Sequence, residues 1–307
     1  MSSTFLSPKS LAVALGVSES SVKRWADEGK IEAVRTEGGH RRIARREALR
    51  YIRANGLTIH SPGAIGLEVI EHATGDPGDD ALTRAIVDGD EERAQGILLG
   101  RYLAGENAAA LCDGPVAASL RRVGELWRHG VKGIYQEHRA TEACLQALTV
   151  LRSALPRPCD EAPVAIGCAP PEDPYRIPSL MASLVLAAAG WREHNLGANL
   201  PTRALMAAMN AWQPRLVWLS FCSKNAAEKF TANAPALIDL ARQKGITLVA
   251  GGQACPASFR KESSPVHYLG SMEALDAFAR ALNLERSGDS QRVTSPARRH
   301  GQRDLPG

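Results

Sequence analysis

Three prolines within eight residues, Pro156-Arg-Pro-Cys-Asp-Glu-Ala-Pro163, divide this chain into halves with different hydrophobic periods. Proline removes a backbone donor and clashes with the preceding helical turn, so no helix crosses this stretch. Before it, apolar residues recur at helical spacing with almost no β-branched runs; after it, short strand-like runs alternate with helical ones. A single bundle and a single sheet are both excluded.

The C-terminal half reads as strand 164–168, helix 179–189, strand 192–196, helix 202–212, strand 215–221, a helix through 244, strand 246–250, a short strand near 267–269 and a last helix from 271. Such alternation predicts a doubly wound parallel sheet, whose ligands lie at the carboxyl ends of its strands. Those ends are residues 168–175, 220–223 and 251–254. Gly251-Gly252, directly after a strand, permits close backbone approach. The chain has no Gly-x-Gly-x-x-Gly to suggest a dinucleotide.

Residues 79–155 read as helices joined at Gly89-Asp90, Gly105 and Gly130, which predicts antiparallel neighbours and a four-helix bundle. Residues 121–129 end one helix, 130–133 form a tight connection, and 134–155 form the next helix. This turn brings Trp127 beside Glu137 and His138. One ligand site can hold all three, with His138 a candidate metal ligand; equally, Trp127 is a core aromatic beside a capping or surface pair. The residues alone leave both readings open.

The N-terminal segment carries an uneven charge. Residues 1–55 hold 11 Lys/Arg against 6 Asp/Glu, in a chain of 307 residues with a net charge of only +4. This excess predicts a polyanion partner. Ser7-Pro8 and Ser18 are helix starts, Gly16-Val17 and Gly29 helix stops, and two short strands at 31–35 and 41–43 flank Glu37-Gly38-Gly39, followed by a helix over 45–53. The segment resembles the winged helix-turn-helix domain of MerR-type regulators. That resemblance implies that Ser20, Ser21, Lys23 and Arg24 face the major groove, while Arg35, His40, Arg41 and Arg42 contact phosphates or the minor groove. The competing reading is a solvated basic face on a protein-interaction winged helix.

No apolar run approaches the roughly 20 residues of a membrane span, and the first residues lack a signal core. A cytoplasmic protein without membrane partners is expected. The six cysteines (112, 144, 159, 168, 222 and 255) show no zinc-site spacing, which predicts reduced thiols.

The head, the bundle with Trp127, nine residues, then Glu137-His138, and the parallel α/β half together resemble the CarH/LitR family of cobalamin-dependent photoreceptor repressors. The family's cobalamin-binding motif is Asp-x-His-x-x-Gly, 41 residues, Ser-x-Leu, some 26 to 28 residues, Gly-Gly. Here it reads Asp173-x-Tyr175-x-x-Pro178, 41 residues, Ser220-x-Cys222, 28 residues, Gly251-Gly252. Spacing survives while Tyr175 replaces the lower cobalt-ligating histidine, Pro178 the glycine and Cys222 the leucine beside the nucleotide tail. A neutral phenol is a poor metal ligand unless ionised.

Residues and resemblance together give a winged head over 1–55, a linker over 56–77 read from its glycines and prolines, a four-helix bundle over 78–157, a cobalamin-binding-like α/β domain over 163–284, and a tail over 285–307 whose polar, Gly/Pro-punctuated composition predicts disorder. The resemblance further implies a double-stranded DNA operator, a homo-oligomer (dimer or tetramer) and adenosylcobalamin with a light response. Three readings follow for the cleft of Trp127, Glu137, His138, Asp173, Tyr175, Ser220, Cys222, Gly251 and Gly252. It holds cobalamin without a histidine below the cobalt; it holds another chromophore, a haem on His138 or a bilin on Cys168 or Cys222; or it is a ligand-free scaffold. With no substrate barrel and no nucleophile-base pair, an enzyme is not expected.

Overall fold

In the computed structural model the described residues are 5–67, 81–126 and 130–293, with side chains described through 284. Trp127, the linker from 68 to 77 and the tail from 294 onward therefore lie outside the described residues.

The head begins with a strand that the residue pattern did not announce, β1 (Phe5–Leu6). Helix α1 (Pro8–Leu15) follows, with Ser7 accepting the amide of Ser10 at 3.0 Å and Gly16 closing the helix at φ +64°. Helix α2 (Glu19–Asp27) is capped by Ser18. Strands β2 (Ala33–Arg35) and β3 (Arg41–Ala44) form the wing hairpin, and β1 pairs with the other edge of β3 to complete a three-stranded antiparallel sheet. Helix α3 (Arg45–Ala54) packs Ala48, Leu49 and Ile52 inward. The chain after it reads as a Gly/Pro linker, yet residues 57–67 lie against α1. The amides of His60 and Ser61 both donate to the Ala14 carbonyl, and Ile65 and Leu67 are buried. Burial of the two apolar side chains outweighs the freedom expected of the glycines around them.

Helices α4 (Ala81–Val87), α5 (Glu91–Leu103), α6 (Ala108–Leu111), α7 (Ala117–Glu125) and α8 (Gly130–Ala154) make up the helical unit. A π turn over Cys112–Val116, which contains Pro115, joins α6 to α7. Helix α8 starts at Gly130, so residues 130–133 are its first turn and not the connection expected from their glycines. Its outer residues Val131, Ile134 and Tyr135 are exposed.

The α/β unit comprises β4 (Val164–Cys168), α9 (Ile177–Ala188), β5 (Arg192–Asn195), α10 (Thr202–Trp212), β6 (Leu216–Ser220), α11 (Lys224–Lys244), β7 (Thr247–Gly251), β8 (His267–Tyr268) and α12 (Met272–Val293). Its strands are all parallel in the order β5-β4-β6-β7-β8, so the chain reverses direction across the sheet between β4 and β6. A ligand crevice is expected at that switch point. Helix α12 runs nine residues beyond 284, where the sequence predicts disorder; the backbone hydrogen-bonding of a helix already anchored by Leu275 and Ala279 carries it on.

Both faces of the sheet are covered. Leu216, Trp218 and Val249 point toward α9 and α12, and this core continues without interruption through the helical unit into the head; Val217, Leu219 and Phe221 point the other way, toward Leu205, Phe230 and Leu237. The head is thus joined to the rest by packing. Polar contacts reinforce it: Arg50 Nε donates to the Leu155 carbonyl at 2.7 Å, Arg53 donates to the carbonyls of Gly105 and Glu106, and Arg157 bridges Glu32 and Glu47.

Candidate DNA interface and cofactor cleft

Ser20, Lys23 and Arg24 stand exposed on α2, and Arg35, His40 and Arg42 on the wing. Ser21 is half-buried, its hydroxyl 2.8 Å from that of the capping Ser18, which makes it part of the helix start. Lys23 lies 2.8 Å from Glu19 one turn back. Arg41 is placed differently from its neighbours. Its guanidinium grips the Asp27 carboxylate at 2.6 and 2.8 Å and is only 20% exposed, so it brackets the wing against the end of α2. That hydrogen bond holds the Asp27 carboxyl below its usual range. Arg41, expected to contact phosphate, is paired internally here, because a carboxylate at the α2 terminus lies within bidentate reach.

On α8, Glu137 is half-buried and accepts the Thr141 hydroxyl at 3.0 Å, whereas the His138 side chain is 75% exposed, 3.9 Å from Glu137. Neighbouring helix positions point about 100° apart, and here they present one carboxylate turned partly inward and one imidazole turned to solvent. Trp127 lies outside the described residues. Among those described, no group of three or more His, Cys, Asp or Glu side chains could hold a metal ion.

The loop after β4 is fixed by its own bonds. Asp173 is fully buried; one carboxylate oxygen accepts the amides of Cys222 and Ser223 at 2.7 and 2.9 Å, and the other accepts that of Tyr175 at 3.2 Å. Glu172 sits at φ +64°, held by Asn199 through its amide and by Lys229 through its carboxylate. Tyr175 projects outward, 53% exposed. Pro178 falls in the first turn of α9, which begins two residues earlier than the expected start at 179. Proline fits that turn because its missing N–H would have no intrahelical partner.

Ser220, Gly251 and Gly252 come together, as the motif spacing predicts, in a pocket of about 140 Å³ shared with Trp218, Pro178, Leu275 and Asp113. Both glycines are required by the protein's own backbone. A Cβ on Gly252, at φ +99°, would collide with the Phe221 carbonyl, and one on Gly251 would lie 2.8 Å from the Leu269 carbonyl. Cys222 is half-buried, its thiol pushed up to about 12 by burial and then by the Asp173 charge. Cys168 is buried, its thiol also pushed up to about 12. Neither is set up as a nucleophile for a bilin.

Three residues of this region were not singled out by sequence. Trp218 had a signal: two positions before Ser220 in a strand, it shares that residue's face. Ser179 and Asp113 had none, since their partners lie far along the chain.

Cobalamin bound with a protein histidine below the metal does not fit these residues. The position belongs to an outward-facing phenol, and the Asp173 carboxylate two residues earlier is committed to three backbone amides that fix the loop.

Residues 79–152 match the B12 binding domain and residues 5–56 a helix-turn-helix domain. The chain is 25% identical over 241 residues to the HTH-type transcriptional repressor CarA of Myxococcus xanthus, covering 73% of this chain and 79% of CarA. Among solved structures, the monomethylamine corrinoid protein of Methanosarcina barkeri superposes with a TM-score of 0.53 at 17% identity, over 66% of this chain and 97% of that one, which establishes a shared fold. A cobalamin-binding protein of Desulfitobacterium hafniense matches at a TM-score of 0.34 and 18% identity, over 68% of this chain and 98% of that one. The chain thus joins a segment that matches a helix-turn-helix domain to one that matches a B12 binding domain, and over most of its length it is similar to a helix-turn-helix transcriptional repressor.

Proposed function

We propose that this protein is a DNA-binding transcription regulator whose winged head occupies an operator under the control of a corrinoid-responsive module, and that it performs no catalysis. One observation carries this reading: α3, which packs behind the wing, is bonded through Arg50 and Arg53 to the carbonyls of Leu155, Gly105 and Glu106. A change in how the helical unit sits therefore moves the head, which is what a sensor coupled to DNA binding requires. The similarity to the repressor CarA and to the B12 binding domain supplies the ligand class.

A head of about 50 residues contacts few base pairs, so useful affinity requires two copies on one operator, spaced by roughly one helical turn of about 10 bp. We therefore propose a dimer or tetramer as the DNA-bound form, with assembly as the controlled step. The proposed ligand is a corrinoid held without a histidine below the cobalt. With adenosylcobalamin as that ligand the signal becomes light.

The test is operator binding by full-length protein, with parallel sedimentation, in the dark and after illumination, with and without adenosylcobalamin. Ligand-dependent changes in both assembly and affinity support the proposal. Operator binding that ignores every corrinoid would favour the ligand-free scaffold, a reading supported by the self-bonded Asp173 loop. No DNA binding under any condition would overturn both.

A further inference from the structure

The pocket of Ser220, Gly251 and Gly252 has an occupant of its own. Trp218 projects from the same face of β6 as Ser220, and its indole is 2% exposed. The ring lies over Gly167 on the adjacent strand β4, where any Cβ would collide with it. Above, Nε1 donates to Ser179 Oγ on α9 at 3.0 Å, and that hydroxyl donates to Asn195 Oδ1 at 3.0 Å. A glycine beneath the ring and a buried hydroxyl for its only polar atom make a built seat, since an indole N–H buried without a partner would be costly.

What remains beside the ring is about 140 Å³, roofed by Asp113, Met272 and Leu275. Cavities that bury a small-molecule ligand run to roughly 300–1,000 Å³. A nucleotide tail, with base, ribose and phosphate, does not share this space with the indole.

We infer that Trp218 is the resident occupant of the slot among Ser220, Gly251 and Gly252, where the resemblance to cobalamin-dependent regulators would place the cofactor's nucleotide tail, so that this chain admits no nucleotide tail between β6, β7 and α9, and a corrinoid bound to it keeps its own base on the cobalt. The second half rests on the corrinoid reading above; the first does not. Loss of the histidine and closure of the slot are then two sides of one change. A protein histidine is needed below the metal only when the cofactor's base has been drawn away into a slot.

The experiment has two arms. In the first, full-length wild-type protein and Trp218→Ala are melted with and without 5,6-dimethylbenzimidazole, the base of the tail. An apolar cavity opened by truncation accepts a matching small molecule, and binding to the folded state raises Tm by mass action. We expect a rise of a few degrees in the variant and none in the wild type. An equal rise in the wild type, or none in the variant, overturns the slot assignment; if Trp218→Ala does not fold, Trp218→Leu is measured in the same way. In the second arm, hydroxocobalamin is added to wild-type protein and its absorption recorded. A base-on spectrum supports the inference and a base-off spectrum overturns it. Absence of binding removes the corrinoid reading and leaves the slot to be decided by the melting arm.

Discussion

The carboxylate of Asp113, in the π turn between α6 and α7, accepts the backbone amides of Met272 and Glu273 at 2.9 Å each, capping a helix that begins 159 residues later. Ser271 caps the same terminus from within through the amide of Ala274. The external cap joins the helical unit to the α/β unit at the roof of the Trp218 pocket. It also places a negative charge at the positive end of α12.

Asp113→Ala leaves those two amides to water and is expected to cost about 1 kcal/mol, within the usual 0.5–2 kcal/mol range for a lost N-cap. The same change loosens the joint. Hydrogen exchange should quicken at the start of α12 while that of α11 stays as it was. Uniform exchange across both helices would show that Asp113 is not a joint between the two units.

Asp173 presents a different expectation. Three backbone amides converge on its buried carboxylate, and removing it strands at least those of Cys222 and Ser223. Each unsatisfied buried donor costs about 1–3 kcal/mol, so Asp173→Ala should destabilise the protein by several kcal/mol in urea denaturation. Asp173→Asn, which retains one acceptor oxygen, should lose less. If Asp173 served only as a support for an axial ligand, neither change would matter without a cofactor.

How much of this was legible in the sequence depended on how local the cause was. Helices α1 and α2 are specified by Ser7, Pro8, Gly16 and Ser18, within a few residues of the ends they fix. The parallel sheet was legible because runs such as residues 216–220 and 247–251 are too short and too continuous for anything but buried strands. Strand β1 was missed because two residues carry no period, and the Gly130 turn because a glycine that opens a helix looks the same as one that interrupts it. The motif ruler brought Ser220, Gly251 and Gly252 together, yet their surroundings were not readable. Whether the space among them stays open depends on Trp218, Gly167 and Ser179, which come from three separate elements.

The DNA face should divide in two. Arg42→Ala is expected to weaken binding to all sequences and to lower the slope of log K against log salt by about 1. Lys23→Ala and Arg24→Ala should in addition change site preference, measured by competition between operator variants. Arg41→Ala should act through geometry, lowering affinity together with thermal stability. Arg41→Lys should not restore it, because an ammonium cannot reproduce the two-point grip on Asp27. The Asp27 carboxyl is lowered in the folded state, so the bracket's contribution is present above the ordinary carboxylate range and is lost as pH falls through the lowered value.

The cysteines supply a last prediction, which bears on the ligand. Of the six, only Cys159 is exposed. Burial pushes the thiols of Cys144 and Cys168 up to about 12 and that of Cys255 up to about 11; burial with the Asp173 charge does the same for Cys222, to about 12, and burial with the neighbouring Asp113 charge raises Cys112. At pH 8 thiols of that kind are ionised to about one part in 10³ to 10⁴, and the thiolate is the reacting form. Native protein treated with a disulfide reagent at pH 8 should release one fast equivalent, and denatured protein all six. The slow fraction should quicken about tenfold per pH unit until the fold fails. A second fast equivalent traced to Cys222 would mean that the loop after β6 opens away from Asp173, and would restore that thiol as an attachment point for a chromophore.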